Sequence, residues 1–379
     1  MLAALIGSGG AAADERRLVL SLGAGEEYND NVLFSSRDAI DDFVTRLLAG
    51  LRLTNRTERL EASLSGRLQN NHYAENDEFD GLDQHYAAGV GYWATPKLKT
   101  SLDASYSRDT QPDRDIEVTG FVLDATARES RSLGLGLSYA LDEITSASFS
   151  YANRDQRYAG DAFSDYRSQR GGIGFSRRLD RFWNNATGRL NVSYAQYDYD
   201  TARTDYQAGT IGFLWRLTEV WDLQVDGGLR RTQSEFDVGS ESVTDEGWGA
   251  VAALEFGYRG EYAAVSLNAS HDIGPAGGRD GSVERTSGTL DLRYRFAERS
   301  WAGLAAGYHL NRAPAGELAR RETDQDTLSL RPFLRFALTD RLFLEAAYGY
   351  TWIDDRVAGE TYARNLVLLK LAFEQPILE

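Results

Sequence analysis

Across residues 17–373, apolar and polar side chains alternate with a period of two in segments of ten to sixteen residues. No stretch of helical period interrupts them. Such alternation marks strands with one apolar face. In residues 99–107, Thr100, Leu102, Ala104 and Tyr106 share one face, and Lys99, Ser101, Asp103, Ser105 and Ser107 the other. Further on, Leu133, Leu135, Leu137, Tyr139 and Leu141 oppose Ser132, Gly134, Gly136, Ser138 and Ala140, and Leu290, Leu292, Tyr294 and Phe296 oppose Asp291, Arg293 and Arg295. A soluble β-sandwich alternates in the same way, so the connections between segments have to decide.

Tight turns are predicted at Asn55-Arg56, Thr95-Pro96, Asp142-Glu143, Asp180-Arg181, Thr218-Glu219, Gly260-Glu261, Glu298-Arg299 and Thr339-Asp340. Between them fall longer polar loops near 30–41, 74–83, 109–128, 158–165, 199–205, 237–246, 273–283, 312–324 and 354–362. Short and long connections that strictly alternate are the rhythm of outer-membrane barrels, with short periplasmic turns and long extracellular loops. Eight turns and nine loops imply about eighteen strands with both termini on the short-turn side. The expected fold is therefore all-β: a transmembrane, antiparallel, up-and-down β-barrel.

Mean hydropathy is −0.44, a value typical of a soluble chain, and no run of eighteen apolar residues exists. Helical spans are thus excluded. A closed barrel is the other structure that satisfies its own backbone in lipid, and it hides apolarity by alternation. The 20 Tyr and 7 Trp suit membrane interfaces. Two girdles are expected: Trp93, Trp183, Trp215, Trp221, Trp301 and Phe343 by the turns, and Tyr28, Phe79, Tyr158, Tyr199, Phe236 and Trp352 by the loops. Residues 1–13, an apolar stretch ending in Ala11, Ala12 and Ala13, read as the remnant of a secretory signal, leaving 14–379 as one barrel domain.

About eighteen strands is a size at which a lumen stays open unless something enters it. The phase of alternation turns Arg46, Arg52, Arg67, Lys99, Arg154, Arg170, Arg178, Arg189, Arg230, Arg293, Arg295, Arg331, Arg335 and Lys370 inward, against Glu61, Asp103, Asp226, Glu255 and Glu345. A basic wall favours anionic solutes or an acidic polymer. The alternative is a set of charge ladders in which these arginines are consumed by carboxylates. Formal charge is nevertheless −16, which disfavours nucleic acid as a partner, and the excess acid sits in loops such as Glu75, Asp77, Glu78 and Asp80. The 109–128 loop is the longest and has an apolar centre, Phe121, Val122 and Leu123. It is the best candidate to fold into the mouth and narrow it.

Enzyme signatures are missing. There is no Cys, so thiolate catalysis, thiolate metal ligation and disulfides are excluded within the chain. Of His72, His85, His271 and His309, the first and last fall near outer strand ends, but neither has a Ser or Asp at a meaningful spacing. No Walker, HExxH, GxSxG or EF-hand pattern occurs. No catalytic residue, metal site or cofactor is expected.

The first segment leaves its strand through Tyr28, Asn29, Asp30 and Asn31, followed by Val32. This element resembles the opening of the outer-membrane β-barrel porins associated with exopolysaccharide gene clusters. The resemblance implies an outer-membrane step in polysaccharide secretion, with periplasmic polysaccharide-export partners; Asn and Asp here also suit a simple turn. Val367, Leu369, Leu371 and Phe373 look like a terminal strand read by the barrel-assembly machinery, except that residues 374–379 follow the Phe. Outer-membrane lipid and lipopolysaccharide are the remaining expected partners. Three functions stay open: a conduit for exopolysaccharide or anionic solutes, a general diffusion porin, and a sleeve around a multihaem electron-transfer protein.

Overall fold

The structure is a computed structural model that describes residues 15–378 apart from 112–115, 122–125, 161–162, 239–240, 280 and 320. The expected signal remnant lies outside the described residues. Eighteen strands follow one another: β1 Glu15–Asn29, β2 Asp42–Arg56, β3 Leu60–Tyr73, β4 Gly81–Thr95, β5 Leu98–Asp109, β6 Arg128–Ala140, β7 Thr145–Tyr158, β8 Tyr166–Arg178 and β9 Ala186–Tyr199. The second half comprises β10 Ala202–Arg216, β11 Trp221–Val238, β12 Glu241–Arg259, β13 Ala263–Pro275, β14 Ser282–Ala297, β15 Ser300–Ala313, β16 Thr323–Ala337, β17 Leu342–Asp355 and β18 Glu360–Leu378. Each strand pairs antiparallel with its sequence neighbours, and β1 pairs with β18 from Leu18↔Leu378 to Asn29↔Leu366. The sheet is closed, so within the membrane no strand edge is left without a hydrogen-bonding partner.

The face assignment follows from register. Leu47 and Leu51 on β2, Leu133, Leu135 and Leu137 on β6, Ile173 and Phe175 on β8, and Val367, Leu369 and Leu371 on β18 are all exposed. In water this would be a large penalty. In hydrocarbon the same apolar band is the stable surface, at about 25 cal/mol per Å² removed from water. The chain is an integral barrel of the outer-membrane type. On the opposite face small hydroxyls line the wall and bond across strands, as in Ser105–Ser132 at 2.6 Å and Ser146–Ser176 at 2.7 Å.

Turns fall within a residue or two of expectation, except that the Asp180-Arg181 site is the longer connection 179–185. Three long loops shrink. The expected loops 199–205 and 354–362 reduce to 200–201 and 356–359, and the strands flanking 237–246 run on to Val238 and from Glu241. Polar residues such as Arg203 and Asp205 read as loop, yet a strand that has risen above the hydrocarbon meets no cost for polar outward side chains. For the same reason β18 continues past Phe373 to Leu378, at the other rim.

Aromatic residues near strand ends divide by phase. Tyr28, Trp215, Trp221 and Trp352 share the outward face of their strands with exposed apolar neighbours, as expected for girdles. Tyr158, Tyr199 and Phe236 instead lie on the lumen face, Tyr158 at 8% and Phe236 at 2% exposure, and Phe79 packs on Tyr73. Trp93, Trp301 and Phe343 also fall on the lumen face, at the short-turn rim, where Lys99 Nζ lies 4.0 Å from the Trp93 ring centroid and the Arg335 guanidinium 4.2 Å from that of Phe343. Proximity to a strand end is not enough; parity decides.

The seam between first and last strand carries its own clasp. Asp30 Oδ1 accepts the Asn365 backbone N–H at 2.6 Å, and Oδ2 accepts the Asn365 side-chain amide at 2.7 Å. The Asn31 amide donates to Ala363 O at 3.0 Å and to Ser35 O at 2.9 Å. The charge-assisted bonds to Asp30 contribute about 1.5–3 kcal/mol each. Asp30→Ala should therefore lower the denaturant midpoint of the folded barrel, followed by heat-modifiable gel mobility, while Tyr28→Phe, at an exposed girdle position, leaves it nearly unchanged.

Candidate functional site

The register turns every basic residue selected by alternation onto the lumen face. Arg46 and Arg52 on β2 lie in phase with Gly25 and Val19, and Arg67 pairs with Gly50. Lys99 pairs with Trp93, Arg154 with Ser132 and Arg170 with Ala152. Arg178 pairs with Thr187, Arg189 with Gly212 and Arg230 with Ala208. Arg293 and Arg295 follow in the same phase on β14, Arg331 and Arg335 on β16, and Lys370 on β18, facing Glu345. Glu61, Asp103, Asp226 and Glu255 share the face.

These cations divide into two groups. Arg46 bonds Glu27 at 2.6 Å, Lys99 lies 3.5 Å from Glu61, Arg178 3.6 Å from Asp180, and Arg335 3.2 Å from Glu374. Arg189 grips both oxygens of Asp226 at 2.8 and 3.0 Å. Arg230 is 3% exposed and tied to Glu284 and to Ala250 O, so it is structural and does not line an aqueous path. By contrast Arg52, Arg67, Arg154, Arg170, Arg293, Arg295, Arg331 and Lys370 make no ion pair among the described residues; Arg170 donates to the Tyr197 hydroxyl at 2.9 Å, and Arg295 stands over the Tyr262 ring.

Three of the unpaired cations, Arg67, Arg331 and Lys370, line one cavity of about 630 Å³ between β1–β6 and β14–β18. Arg46, Arg128 and Arg364 complete its basic wall, with Glu27, Asp83, Asp109 and Asp291 as the carboxylates. Arg128 and Asp109 pair at 2.9 Å with both side chains below 10% exposure. The alternation rule could have found Arg128 and Arg364, because they continue the phase of Ser130 and Ser132 and of Leu366, Leu368 and Lys370. A second cavity of about 570 Å³ lies against β3–β9, beside Asp103, Arg154, Arg170 and Tyr197.

Above these cavities the mouth is narrowed from inside. In the 109–128 loop a helical turn, Ile116–Thr119, seats Ile116 among Phe34 and Ile353 and leaves Val118 facing the larger cavity. Phe121 is 1% exposed against Ala276, Val283, Ala313 and Ala319; Val122 and Leu123 lie outside the described residues. The loop backbone is anchored on the far wall. Thr327 donates to Gly120 O at 2.7 Å and the Asn311 amide to Thr119 O at 2.9 Å. Gly120 has φ +73°, and a Cβ there would collide with His309, so the loop needs glycine at this point.

A second element also enters, which the sequence did not single out. β12 pairs with β13 only as far as Ala252↔His271, whereas β12 with β11 continues much further. Released from that neighbour, the tip of the β13–β14 hairpin bends inward against the wall of β9 and β10. Ile273 packs on Ala195, Tyr197, Tyr206 and Ala208 of β9 and β10, and Tyr206 donates to Asp272 at 3.1 Å. Gly278 O accepts the Ser164 N–H at 2.8 Å from the β7–β8 loop. Leu318, from the 314–322 loop, packs against both apolar clusters. Hairpin and loops thus share one small apolar core inside an otherwise polar mouth.

The Tyr28–Asn31 element lies at the seam: Tyr28 donates to Asp41 from the outer face, while Asp30 and Asn31 bind β18. Among the histidines, His72 Nδ1 lies 2.6 Å from Asp80 Oδ2, a partner that the loop brings near, and His271 meets Thr286. His309 is buried with neither ring nitrogen hydrogen-bonded. Among the described residues, no histidine is hydrogen-bonded to a serine.

No family model matches this chain, and no curated protein matches it significantly. Solved structures do share its course. OpdO from Pseudomonas aeruginosa is 14% identical over 96% of this chain and 98% of that one, with a TM-score of 0.46. OccK2 (OpdF) from the same organism is 10% identical over 96% and 98%, at 0.48. The alcaligin outer-membrane receptor FauA from Bordetella pertussis is 11% identical over 93% and 76%, at 0.43. At this distance the likeness says nothing of what passes through the lumen.

Phe121→Ala removes a buried aromatic worth roughly 3–5 kcal/mol. The loop should detach without unfolding the barrel. Single-channel conductance is expected to rise and trypsin to cleave within 109–128, with heat-modifiable mobility retained.

Proposed function

We propose that the protein is an outer-membrane channel, not an enzyme, and that its lumen passes small anionic solutes. The observation that carries this reading is the set Arg67, Arg331 and Lys370, which line one cavity and make no ion pair among the described residues. Fixed cations on a low-dielectric wall raise the local anion concentration and set charge selectivity. Ion pairs engage Arg46, Lys99, Arg178, Arg189, Arg230 and Arg335, so selectivity rests on the remainder.

Size follows from the mouth. The docked hairpin and loops occupy the mouth, which a sleeve needs clear for its protein partner, and this disfavours the sleeve. Export of an exopolysaccharide through the same lumen needs those elements to withdraw, and the anchoring bonds of Gly120 and Gly278 oppose that. Delivery of polymer by periplasmic partners belongs to that reading and stands or falls with it.

In a planar bilayer with a salt gradient, the reversal potential should report anion preference. Arg67→Gln/Arg331→Gln/Lys370→Gln should lower the anion-to-cation permeability ratio by about twofold or more, whereas Arg189→Gln/Asp226→Asn, which removes a closed pair whole, should change it little. Cation selectivity in the unaltered protein would contradict the proposal.

A further inference from the structure

Outside the lumen, arginines recur at one height on the outer face. Arg108 on β5 lies opposite Glu129 on β6, which lies opposite Arg157 on β7. One outward position below, Arg131 on β6 faces Asp155 on β7, which faces Arg167 on β8. Four arginines on four adjacent strands thus interleave with two carboxylates, and Asp198 on β9, 3.9 Å from Arg203, lies opposite Arg167 at the edge of the group. Glu129 takes Arg131 at 3.2 Å and Asp155 takes Arg157 at 3.0 Å. Arg108 and Arg167 are exposed and make no ion pair among the described residues. The patch carries excess positive charge on a chain of net charge −16.

Among the described residues, other outward arginines on the strands at this end are paired. Arg312 and Arg356 share Asp324 and Asp326, with Asp354 at 3.5 Å from Arg356. Arg203 lies between Asp205 and Asp198, and Arg231 bonds Glu246 at 2.8 Å. On the strands the surplus lies on β5–β8, while the exposed Arg37 and Arg321 stand in loops.

Its height identifies the environment. Moving down the outward faces, Arg131 is followed by Leu133, Leu135 and Leu137, Arg108 by Tyr106, and Arg167 by Gln169, Gly171 and Ile173. Outward positions on a strand are about 6–7 Å apart. The arginines sit one to three such steps above the apolar band, in the headgroup layer of the outer leaflet. Tyr151 marks the boundary, its hydroxyl donating upward to Gln169 at 3.3 Å. Guanidinium groups pair with phosphate in a bidentate fashion, and a partly desolvated headgroup layer strengthens the pair.

We propose that the outer face of β5–β8 binds the phosphate groups of an outer-leaflet glycolipid, with Arg108 and Arg167 as the primary contacts and Arg131 and Arg157 in support. Lipid lies against this face by necessity once the barrel is inserted, and the charge complementarity selects its phosphorylated form.

The test uses the full folded barrel in detergent, titrated with diphosphorylated lipid A, its dephosphorylated counterpart and inorganic phosphate, with native mass spectrometry counting bound ligand. Unaltered protein should retain diphosphorylated lipid A and release the dephosphorylated form. Arg108→Gln/Arg167→Gln should weaken retention by about tenfold, and Arg203→Gln/Arg231→Gln should leave it unchanged. The double Gln variant adds amides to a layer already rich in them; a single Arg167→Gln, expected to show a smaller loss, serves if the pair folds poorly. Equal retention by the Arg108/Arg167 variant, equal loss in the Arg203/Arg231 variant, retention of dephosphorylated lipid, or retention of inorganic phosphate alone overturns the proposal. So does a dimer that these substitutions disperse, since the face then receives a second chain.

Discussion

Everything in this molecule depends on the need to hydrogen-bond every backbone amide that lies in hydrocarbon. Eighteen strands meet that need only by closing, and closure makes β1 against β18 the one pairing of described strands that are not neighbours in sequence. The clasp of Asp30 and Asn31 on Asn365 and Ala363 lies where that junction leaves the membrane. With the backbone satisfied, side chains are free to sort by face, apolar outward and small or charged inward.

Above the membrane the same need relaxes, and the architecture changes there. β11 and β12 outgrow β13, whose hairpin with β14 is then released to fold inward. The inward tip must find apolar partners in a polar lumen. It finds them in Tyr197, Tyr206, Phe121 and Leu318, so elements from both sides of the barrel condense into a constriction. Outward polar residues on the protruding strands cost nothing at this height, and the arginines of β5–β8 are placed there.

Strand count, turn positions and inner-wall charges were legible because a period of two along the chain is all they require. Arg67, Arg331 and Lys370 could each be turned inward from local alternation alone. The pairing of charges could not be read, since Arg189 with Asp226 or Arg46 with Glu27 depends on register between strands. Nor could the limits of strand and loop at Arg203 and Asp205, where charge signals exposure to water and not loss of structure. Tyr158, Tyr199 and Phe236 look like girdle residues by position and belong to the mouth by parity. The infolding of the β13–β14 hairpin has no local signature, because it arises from unequal lengths of neighbouring strands.

The mouth of the barrel is narrowed by a hairpin whose tip is seated on the inner wall of β9 and β10, and the proposed passage of small anions runs past it. The chain lacks cysteine, so a cysteine pair introduced by Ile273→Cys and Ala208→Cys reports that seating directly. The predicted result is a disulfide on mild oxidation of the folded barrel, with single-channel current unchanged by the cross-link. No cross-link, or one that cuts the current, would show that the hairpin stands away from the wall in the conducting state.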